Sequence, residues 1–236
     1  MAHSIGVAMA GGNPLLGRKK HDFYATPSDC THALFLKLEE LGVKVRGKIT
    51  EPCCGDGAIC KVAIERGYEV VATDLIDQGY GDHGGGHDAT RIESLPSPSV
   101  ITNPPFNLAP KIIESVMRHD PDLFVLLLKA SFWSAARRKA LFRKYRPSAI
   151  LTLSWRPDFA GLGNPTMECA WIVWSKQMTP GVTVFDILDR PKGYEVKSAI
   201  RPKKAKAPKP EAPPASDARP EWNVAQTQLD LYDRVA

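Results

Sequence analysis

The sequence predicts an α/β fold in which a mostly parallel sheet carries helices on both faces. Apolar runs such as SVITN and LFVLLLK alternate with helix-forming stretches over residues 21–200, and repeated β–α–β units give a parallel sheet. The two final strand signals, AILTLSW and CAWIVWS, are joined by a loop too short for a crossover helix, which indicates an antiparallel end. A chain of 236 residues, 43% of them hydrophobic, has room for one such domain with appendages.

Local signals place each element in turn. The first helix is TPSDCTHALFLKLEELG, where Thr26 or Ser28 is expected to cap the helix, Pro27 suits its first turn and Gly42 ends it. The strand GKITEPC, the helix GAICKVAIERG and the strand YEVVATDL follow. After SVITN come the helix APKIIESVMRH, the strand LFVLLLK and the basic helix SAARRKALFRKY.

The composition changes near residue 200 and divides the chain into four parts. Residues 201–221 are rich in Pro, Ala and Lys, which predicts a disordered linker. Residues 222–236 regain large apolar side chains and predict a peptide that binds a partner. We therefore expect a flexible N-terminus at 1–20 and a folded domain at 21–200 before them.

Composition also excludes several classes of protein. No apolar run approaches the roughly 18 residues that span a bilayer, and the N-terminus lacks the basic and apolar regions of a signal peptide, so we expect a cytoplasmic protein without membrane contact. The five cysteines form no CxxC pair, which argues against a disulfide framework and a structural zinc site, and we expect no metal. The net charge of +5 permits a nucleic-acid-binding patch without requiring one.

The segment EPCCGDG, residues 51–57, joins a predicted strand to a predicted helix and forms the first candidate site. Its spacing is not GxGxxG, and Glu51 and Asp56 put negative charge where a pyrophosphate needs donors. The loop therefore favours a positively charged ligand without phosphate, such as S-adenosylmethionine. The next strand ends at Asp74, whose carboxylate can accept both ribose hydroxyl hydrogens. Asp88, before SVITN, either binds the adenine amine or is a simple turn residue.

The stretch SVITNPPF forms the second candidate site, because it ends a strand at the edge where such sheets bind ligands. The side-chain carbonyl of Asn103 and the main-chain carbonyl of Pro104 are two fixed acceptors that suit one NH2 group. Phe106 offers a flat apolar face on which a ring can stack. Taken alone, the tetrapeptide favours a strand stop that places Phe106 in the core, but the neighbouring nucleoside loop reverses this in favour of the amine-binding interpretation.

The motifs EPCCGDGAI, ATDL and TNPPF resemble, in that order, those of S-adenosylmethionine-dependent amino methyltransferases that act on nucleic-acid bases. DFYATP, DLIDQGYG, RRKALF, RPDF and CAWIVW resemble the small enzymes of phages and prophages, over residues 21–175. The resemblance implies a Rossmann-like class I methyltransferase domain at 21–200, with seven strands of which the last is antiparallel. It also implies a phage- or prophage-encoded DNA adenine-N6 methyltransferase working in a bacterial host cell.

The resemblance leaves two alternatives open. NPPF also occurs in enzymes that methylate guanine N2 of ribosomal RNA, so an RNA base, modified at guanine N2 or adenine N6, is an alternative substrate. A non-catalytic nucleic-acid-binding module that retains the fold is the alternative class. Adenine N6 is inherited from the resemblance, since the N4 amine of cytosine would satisfy the same two acceptors.

By the same resemblance, Asn103, Pro104, Pro105 and Phe106 act on the exocyclic amine of a flipped-out base. The contacts it implies for S-adenosylmethionine are Tyr24, Thr26, Pro27, Glu51, Cys53, Gly55, Gly57, Asp74, Asp88 and Asn103. Only the 155–168 loop and residues 176–200 are available to read a DNA sequence, so stringent site specificity is not expected.

Contacts with nucleic acid and with other proteins rest on weaker signals. Arg137 and Arg138 lie on the densest basic helix, which either binds nucleic acid or is a solvated face. Arg156 and Phe159 follow a strand end and are candidate substrate contacts. QLDLY resembles the peptide by which bacterial replication and repair proteins bind the sliding clamp, through Gln228, Leu229, Leu231 and Tyr232. The alternative is that this segment forms a C-terminal helix packed on the core. DNA is the expected main partner, and the chain is expected to be a monomer or a weak dimer.

Overall fold

The computed structural model describes residues 25–194, apart from residues 83, 84, 162 and 164. The predicted flexible N-terminus, Tyr24, the linker at 201–221 and the peptide at 222–236 lie outside the described residues. The strands are β1 (Ile49–Glu51), β2 (Val70–Ala72), β3 (Ser99–Thr102), β4 (Leu123–Lys129), β5 (Ala149–Leu153), β6 (Cys169–Ser175) and β7 (Val184–Leu188). The helices are α1 (Ser28–Glu40), α2 (Ala58–Glu65), α3 (Ala109–Met117) and α4 (Lys139–Lys144), with 3-10 turns at Ala89–Arg91 and Ala136–Arg138.

The strands form one seven-stranded sheet in the order β2-β1-β3-β4-β6-β5-β7. Strands β2, β1, β3 and β4 are parallel to one another, whereas β6 runs antiparallel to both of its neighbours, β4 and β5. The prediction of a mostly parallel sheet with an antiparallel member is confirmed. The antiparallel strand is the sixth along the chain rather than the last, because β7 follows it and pairs in parallel with β5.

Helices cover both faces of the sheet, as predicted, and the central strand β4 shows this most clearly. Its residues alternate between two cores: Leu123, Val125 and Leu127 face α1 and α2, while the residues between them face α3. Each core includes a buried tryptophan whose indole N–H is satisfied by a main-chain carbonyl, since Trp171 donates to Cys30 and Trp174 donates to Tyr145, both at 2.9 Å. Within the described part of the chain, no helix is long and apolar enough to cross a membrane.

Helix α1 begins differently from the expectation. The N-cap position is Pro27, no side chain caps the helix, and the Pro27 carbonyl accepts the N–H of Cys30 at 3.0 Å. The predicted capping role of Thr26 or Ser28 is therefore wrong. The hydroxyl of Thr26 instead accepts a hydrogen bond from Asn103, in the loop after β3. The predicted end is confirmed, since Gly42 adopts a left-handed conformation with φ of 68° directly after the helix.

Candidate active site

Three neighbouring strands bring the two candidate motifs to one edge of the sheet. Strand β1 lies between β2 and β3 and is parallel to both. The loop after β1, Asp74 after β2 and Asn103 after β3 therefore follow the carboxyl ends of adjacent strands. This is the edge at which doubly wound α/β folds bind their ligands.

Asp74 holds the glycine loop in place. Its carboxylate accepts the N–H of Gly55 at 2.9 Å and the N–H of Ile76 at 3.0 Å, one on each oxygen. The main chain adds a second link, because the N–H of Cys54 donates to the carbonyl of Thr73 at 3.0 Å. A carboxylate has about four acceptor positions, so two remain for ligand hydroxyl groups. The structure thus brings Asp74 and the loop together, as the sequence predicted.

Tyr80 covers the point where the loop enters α2. Gly57 is the N-cap of this helix with φ of 77°, and a Cβ atom built on it would lie 2.5 Å from carbon atoms of the Tyr80 ring. Such a distance is far shorter than any van der Waals contact, so the loop conformation and the ring position each depend on glycine here. Tyr80 was not singled out from the sequence; its signal is an aromatic residue within the glycine-rich segment DLIDQGYG.

Glu51 lies beneath the loop and is almost fully buried, with 2% of its surface exposed. The Cys60 thiol donates to its carboxyl group, with 2.7 Å between Sγ and Oε2. Burial raises the pKa of Glu51 well above its usual value, which favours the neutral acid. The sequence predicts a negative charge at Glu51 that faces the ligand. Its burial and raised pKa instead favour a neutral group below the loop, and a direct cofactor contact stays a prediction.

Asp88 is the N-cap of the 3-10 turn at Ala89–Arg91. Its Oδ1 accepts the N–H of Thr90 at 2.8 Å and the hydroxyl of Thr90 at 2.7 Å, and these bonds lower the pKa of Asp88. The preceding segment pairs with the end of β2, because the N–H of His87 donates to the carbonyl of Asp74 at 3.0 Å. The turn role left open by the sequence is therefore seen in the structure, and a contact with adenine stays a prediction.

The Asn-Pro-Pro-Phe segment links β3 to α3. The side-chain amide of Asn103 donates from Nδ2 to the hydroxyl of Thr26 at 3.0 Å. Pro104 is buried, while the Pro105 carbonyl accepts the N–H groups of Leu108 and Ala109 at 2.9 and 3.1 Å and so starts the turn into α3. The tetrapeptide is thus held at both ends, by the segment before α1 and by α3.

Phe106 lies at the rim of the core rather than within it. Its ring is half-buried and packs against the core beneath α3, as does the partly buried side chain of Cys53. The ammonium of Lys129, at the end of β4, lies 5.9 Å from the centre of the Phe106 ring. Lys129 was not selected from the sequence, because its position beside Phe106 depends on the pairing of β3 with β4.

The predicted nucleic-acid contacts are not equivalent in the structure. Arg138 is folded back: its guanidinium lies 4.2 Å from the centre of the Phe132 ring and donates to the Phe132 carbonyl. Arg137 is exposed, and both arginines line a groove of about 340 Å³ between α3 and α4. Arg156 donates to Glu168 at 2.7 Å, and Phe159 packs against the core beneath α1.

Two of the predicted sites cannot be compared with these contacts. Tyr24 and the QLDLY residues lie outside the described part of the chain. Among the residues that the structure describes, no group of three or more His, Cys, Asp or Glu side chains could hold a metal ion.

Comparison with known proteins supports the fold class. No family model and no curated protein matches the sequence. Among solved structures, the chain is similar to a proposed RNA methyltransferase from Pyrococcus horikoshii, with a TM-score of 0.50 and 15% identity over 67% of this chain and 91% of that one. It is also similar to the modification subunit of a proposed type I restriction enzyme from Vibrio vulnificus, with a TM-score of 0.49 and 12% identity over 81% of this chain and 51% of that one. The likeness to the first of these structures, together with the sheet order described above, shows the Rossmann-like class I methyltransferase fold.

Proposed function

We propose that this protein transfers a methyl group from S-adenosylmethionine to the exocyclic amine of a flipped-out base, adenine N6 in DNA. The observation that carries the proposal is the position of Asn103. It follows β3 at the same sheet edge as the glycine loop of β1, and the two strands are adjacent and parallel. Methyl transfer to nitrogen requires a carbonyl group that accepts a hydrogen bond from the target amine, placed beside the loop that binds the nucleoside of the methyl donor.

The polar groups at this edge fit the ribose of a nucleoside. Asp74 retains acceptor positions for ribose hydroxyl groups after binding Gly55 and Ile76. Gly55 and Gly57 add no side chain to the loop, and Tyr80 covers Gly57 at the start of α2. When bound, S-adenosylmethionine supplies a methyl group activated by its positively charged sulfur.

The residues of the tetrapeptide would act by positioning rather than by forming a covalent bond to the substrate. The carbonyl oxygens of Asn103 and Pro104 would accept the two hydrogens of the target amine and so orient its lone pair. Phe106, half-buried at the core rim, would present its ring to the flipped base. In the transfer, an N–CH3 bond would form as the S–CH3 bond breaks, and the neutral thioether would leave. The methylated nitrogen would then lose one proton to water, because the two acceptors are neutral amide carbonyl groups that orient the amine without taking its proton.

Parallel transfer assays test this proposal. The purified protein is incubated with radiolabelled S-adenosylmethionine and with DNA, RNA or protein as acceptor. We expect label in DNA, lost on Asn103→Ala and retained on Asn107→Ala. Asn107 is a matched control because it is an exposed asparagine of the same turn.

Calorimetric titration of S-adenosylmethionine into the same variants separates binding from transfer. Asn103→Ala should keep an affinity close to that of the wild type, because the Gly55 and Asp74 contacts do not depend on Asn103. Full transfer by Asn103→Ala would contradict the proposal. Label in RNA alone would show that the substrate is RNA and not DNA. Label in protein alone would show that the substrate is not a nucleic acid.

A further inference from the structure

The contact between Thr26 and Asn103 joins two segments that are 77 positions apart in sequence. Thr26 precedes α1 and is 6% exposed, while Asn103 follows β3. In this hydrogen bond the amide nitrogen Nδ2 of Asn103 donates and the hydroxyl oxygen of Thr26 accepts, at 3.0 Å. The contact is therefore a specific polar link between the start of the domain and the proposed amine-binding loop.

The orientation of an asparagine amide decides what it can bind. Its oxygen only accepts hydrogen bonds and its nitrogen only donates them. A target NH2 group needs an acceptor, so the amide must turn Oδ1 toward it. If the amide were rotated by half a turn, the NH2 group of Asn103 would face the NH2 group of the target base, and two donors would stand together. In the structure Nδ2 is the end that bonds to Thr26, and Oδ1 is on the other branch of the amide. Because a hydroxyl can accept from Nδ2 or donate to Oδ1, this bond fixes the place of the side chain, and the amide with Nδ2 on Thr26 is the one that the target amine needs.

We propose that Thr26 is a positioning residue that holds the side chain of Asn103 in place for the amine-accepting role given under the proposed function, on which this inference rests. The role differs from the cofactor contact that the sequence resemblance assigned to Thr26. The buried hydroxyl of Thr26 accepts a hydrogen bond from Asn103, and Asn103 in turn binds the target amine. Thr26 therefore affects transfer without contacting the cofactor.

The surroundings of Thr26 make it suitable as a fixed point. The residue that follows is proline, which restricts the backbone of the residue before it to extended conformations. Pro27 in turn is the N-cap of α1, whose Cys30 and Leu34 are completely buried. Threonine is also β-branched and has few side-chain rotamers. The hydroxyl is therefore held by a rigid turn that is anchored in the core.

Three threonine variants test the inference. Thr26→Val removes the hydroxyl at nearly constant volume, Thr26→Ser keeps it, and Thr31→Val serves as the matched control. Thr31 is a buried threonine of the same helical region whose hydroxyl has no hydrogen-bond partner among the described residues. We expect Thr26→Val to lower kcat by about 10- to 100-fold, the scale of a misplaced positioning group. Thr26→Ser and Thr31→Val should stay within about 3-fold of the wild type, because the first keeps the bond and the second breaks none.

The affinity for S-adenosylmethionine separates positioning from cofactor binding. It should be unchanged in Thr26→Val. A weaker affinity with an unchanged kcat would overturn the inference in favour of a cofactor contact. A loss of kcat in Thr26→Ser as large as in Thr26→Val would also overturn it, because the methyl packing and not the hydroxyl would then matter.

A nuclear magnetic resonance measurement tests the hydrogen bond without activity. The Asn103 side-chain NH2 signals are identified in the ¹⁵N spectrum as the pair absent from Asn103→Ala. They should shift in Thr26→Val and stay in place in Thr31→Val, while unchanged signals in Thr26→Val would refute the contact. If the wild-type protein methylates no acceptor, the proposed function fails, and the spectra still decide whether Thr26 holds the Asn103 side chain.

Discussion

Replacing Gly57 by alanine tests the packing of the glycine loop against Tyr80. Two costs act at this position. An alanine in a left-handed conformation costs about 1–2 kcal/mol. The added Cβ would also stand 2.5 Å from the Tyr80 ring, and such overpacking costs roughly a further 1–3 kcal/mol because the ring must move. We therefore expect Gly57→Ala to lower the free energy of unfolding by about 2–5 kcal/mol.

Gly67 provides the matched control at the other end of the same helix. Its φ of 85° is close to that of Gly57, but nothing lies within 4 Å of a Cβ built on it. Gly67→Ala should therefore cost only the conformational part, about 1–2 kcal/mol. Since 1 kcal/mol corresponds to about 2–4 °C in Tm for a domain of this size, the two variants should melt several degrees apart.

Urea unfolding of the single and double variants isolates the contact. In the Tyr80→Ala background, Gly57→Ala should cost no more than Gly67→Ala does in the wild type, which gives a coupling energy of about 1–3 kcal/mol between Gly57 and Tyr80. We also expect Gly57→Ala, and not Gly67→Ala, to weaken the binding of S-adenosylmethionine, since only Gly57 lies in the proposed cofactor loop. Equal destabilisation by the two alanines, with no coupling to Tyr80, would refute the reasoning.

Three further predictions concern other contacts. Burial raises the pKa of Glu51 in the folded state above the value of about 4.5 that it has in the unfolded chain. Wild-type stability should therefore fall as pH rises from about 5 toward the raised pKa, by up to about 1.4 kcal/mol per pH unit, and Glu51→Gln should flatten this slope in urea titrations that start at pH 5. Arg190→Ala should lower the free energy of unfolding by about 3 kcal/mol, because it leaves the buried carboxylate of Asp29 without the guanidinium that donates to it at 2.7 Å. Urea unfolding measures this change, and a loss below about 0.5 kcal/mol would contradict the prediction. In steady-state assays Phe106→Ala should raise KM for DNA roughly 10-fold or more, because a stacked base is lost. Phe106→Tyr keeps an aromatic ring and should leave KM near that of the wild type. Equal KM values for Phe106→Ala and the wild type would exclude stacking.

The sequence was informative about the fold wherever an element is buried on both sides. Strand β4 is an uninterrupted apolar run because its two faces meet two different cores. Strand β7 was not assigned for the opposite reason. It lies at the sheet edge, exposes Phe185 and Ile187, and has the polar residue Asp186 at its centre, which pairs with Lys37 of α1. Such a strand has no continuous apolar signal, so only its pairing with β5 identifies it.

The candidate site shows a similar division between local and long-range information. The gathering of Asp74, Asn103 and the glycine loop could be predicted, because parallel strands end at a common edge. The bond from Asn103 to Thr26 could not, since it joins residues 77 positions apart and the local pattern at Thr26 also fits a helix cap. The raised pKa of Glu51 depends on burial, which depends in turn on how α2 and Cys60 cover β1.

Nucleoside mass spectrometry of cellular DNA tests the central claim most directly. DNA is isolated from cells that lack adenine methylation and express the wild-type protein, Asn103→Ala or Asn107→Ala, and is digested to nucleosides. We predict N6-methyladenine with the wild type and with Asn107→Ala, and none with Asn103→Ala. Equal amounts with Asn103→Ala, or no methylated base with any of the three proteins at confirmed expression, would contradict the assignment of Asn103 as the amine acceptor of a DNA methyltransferase.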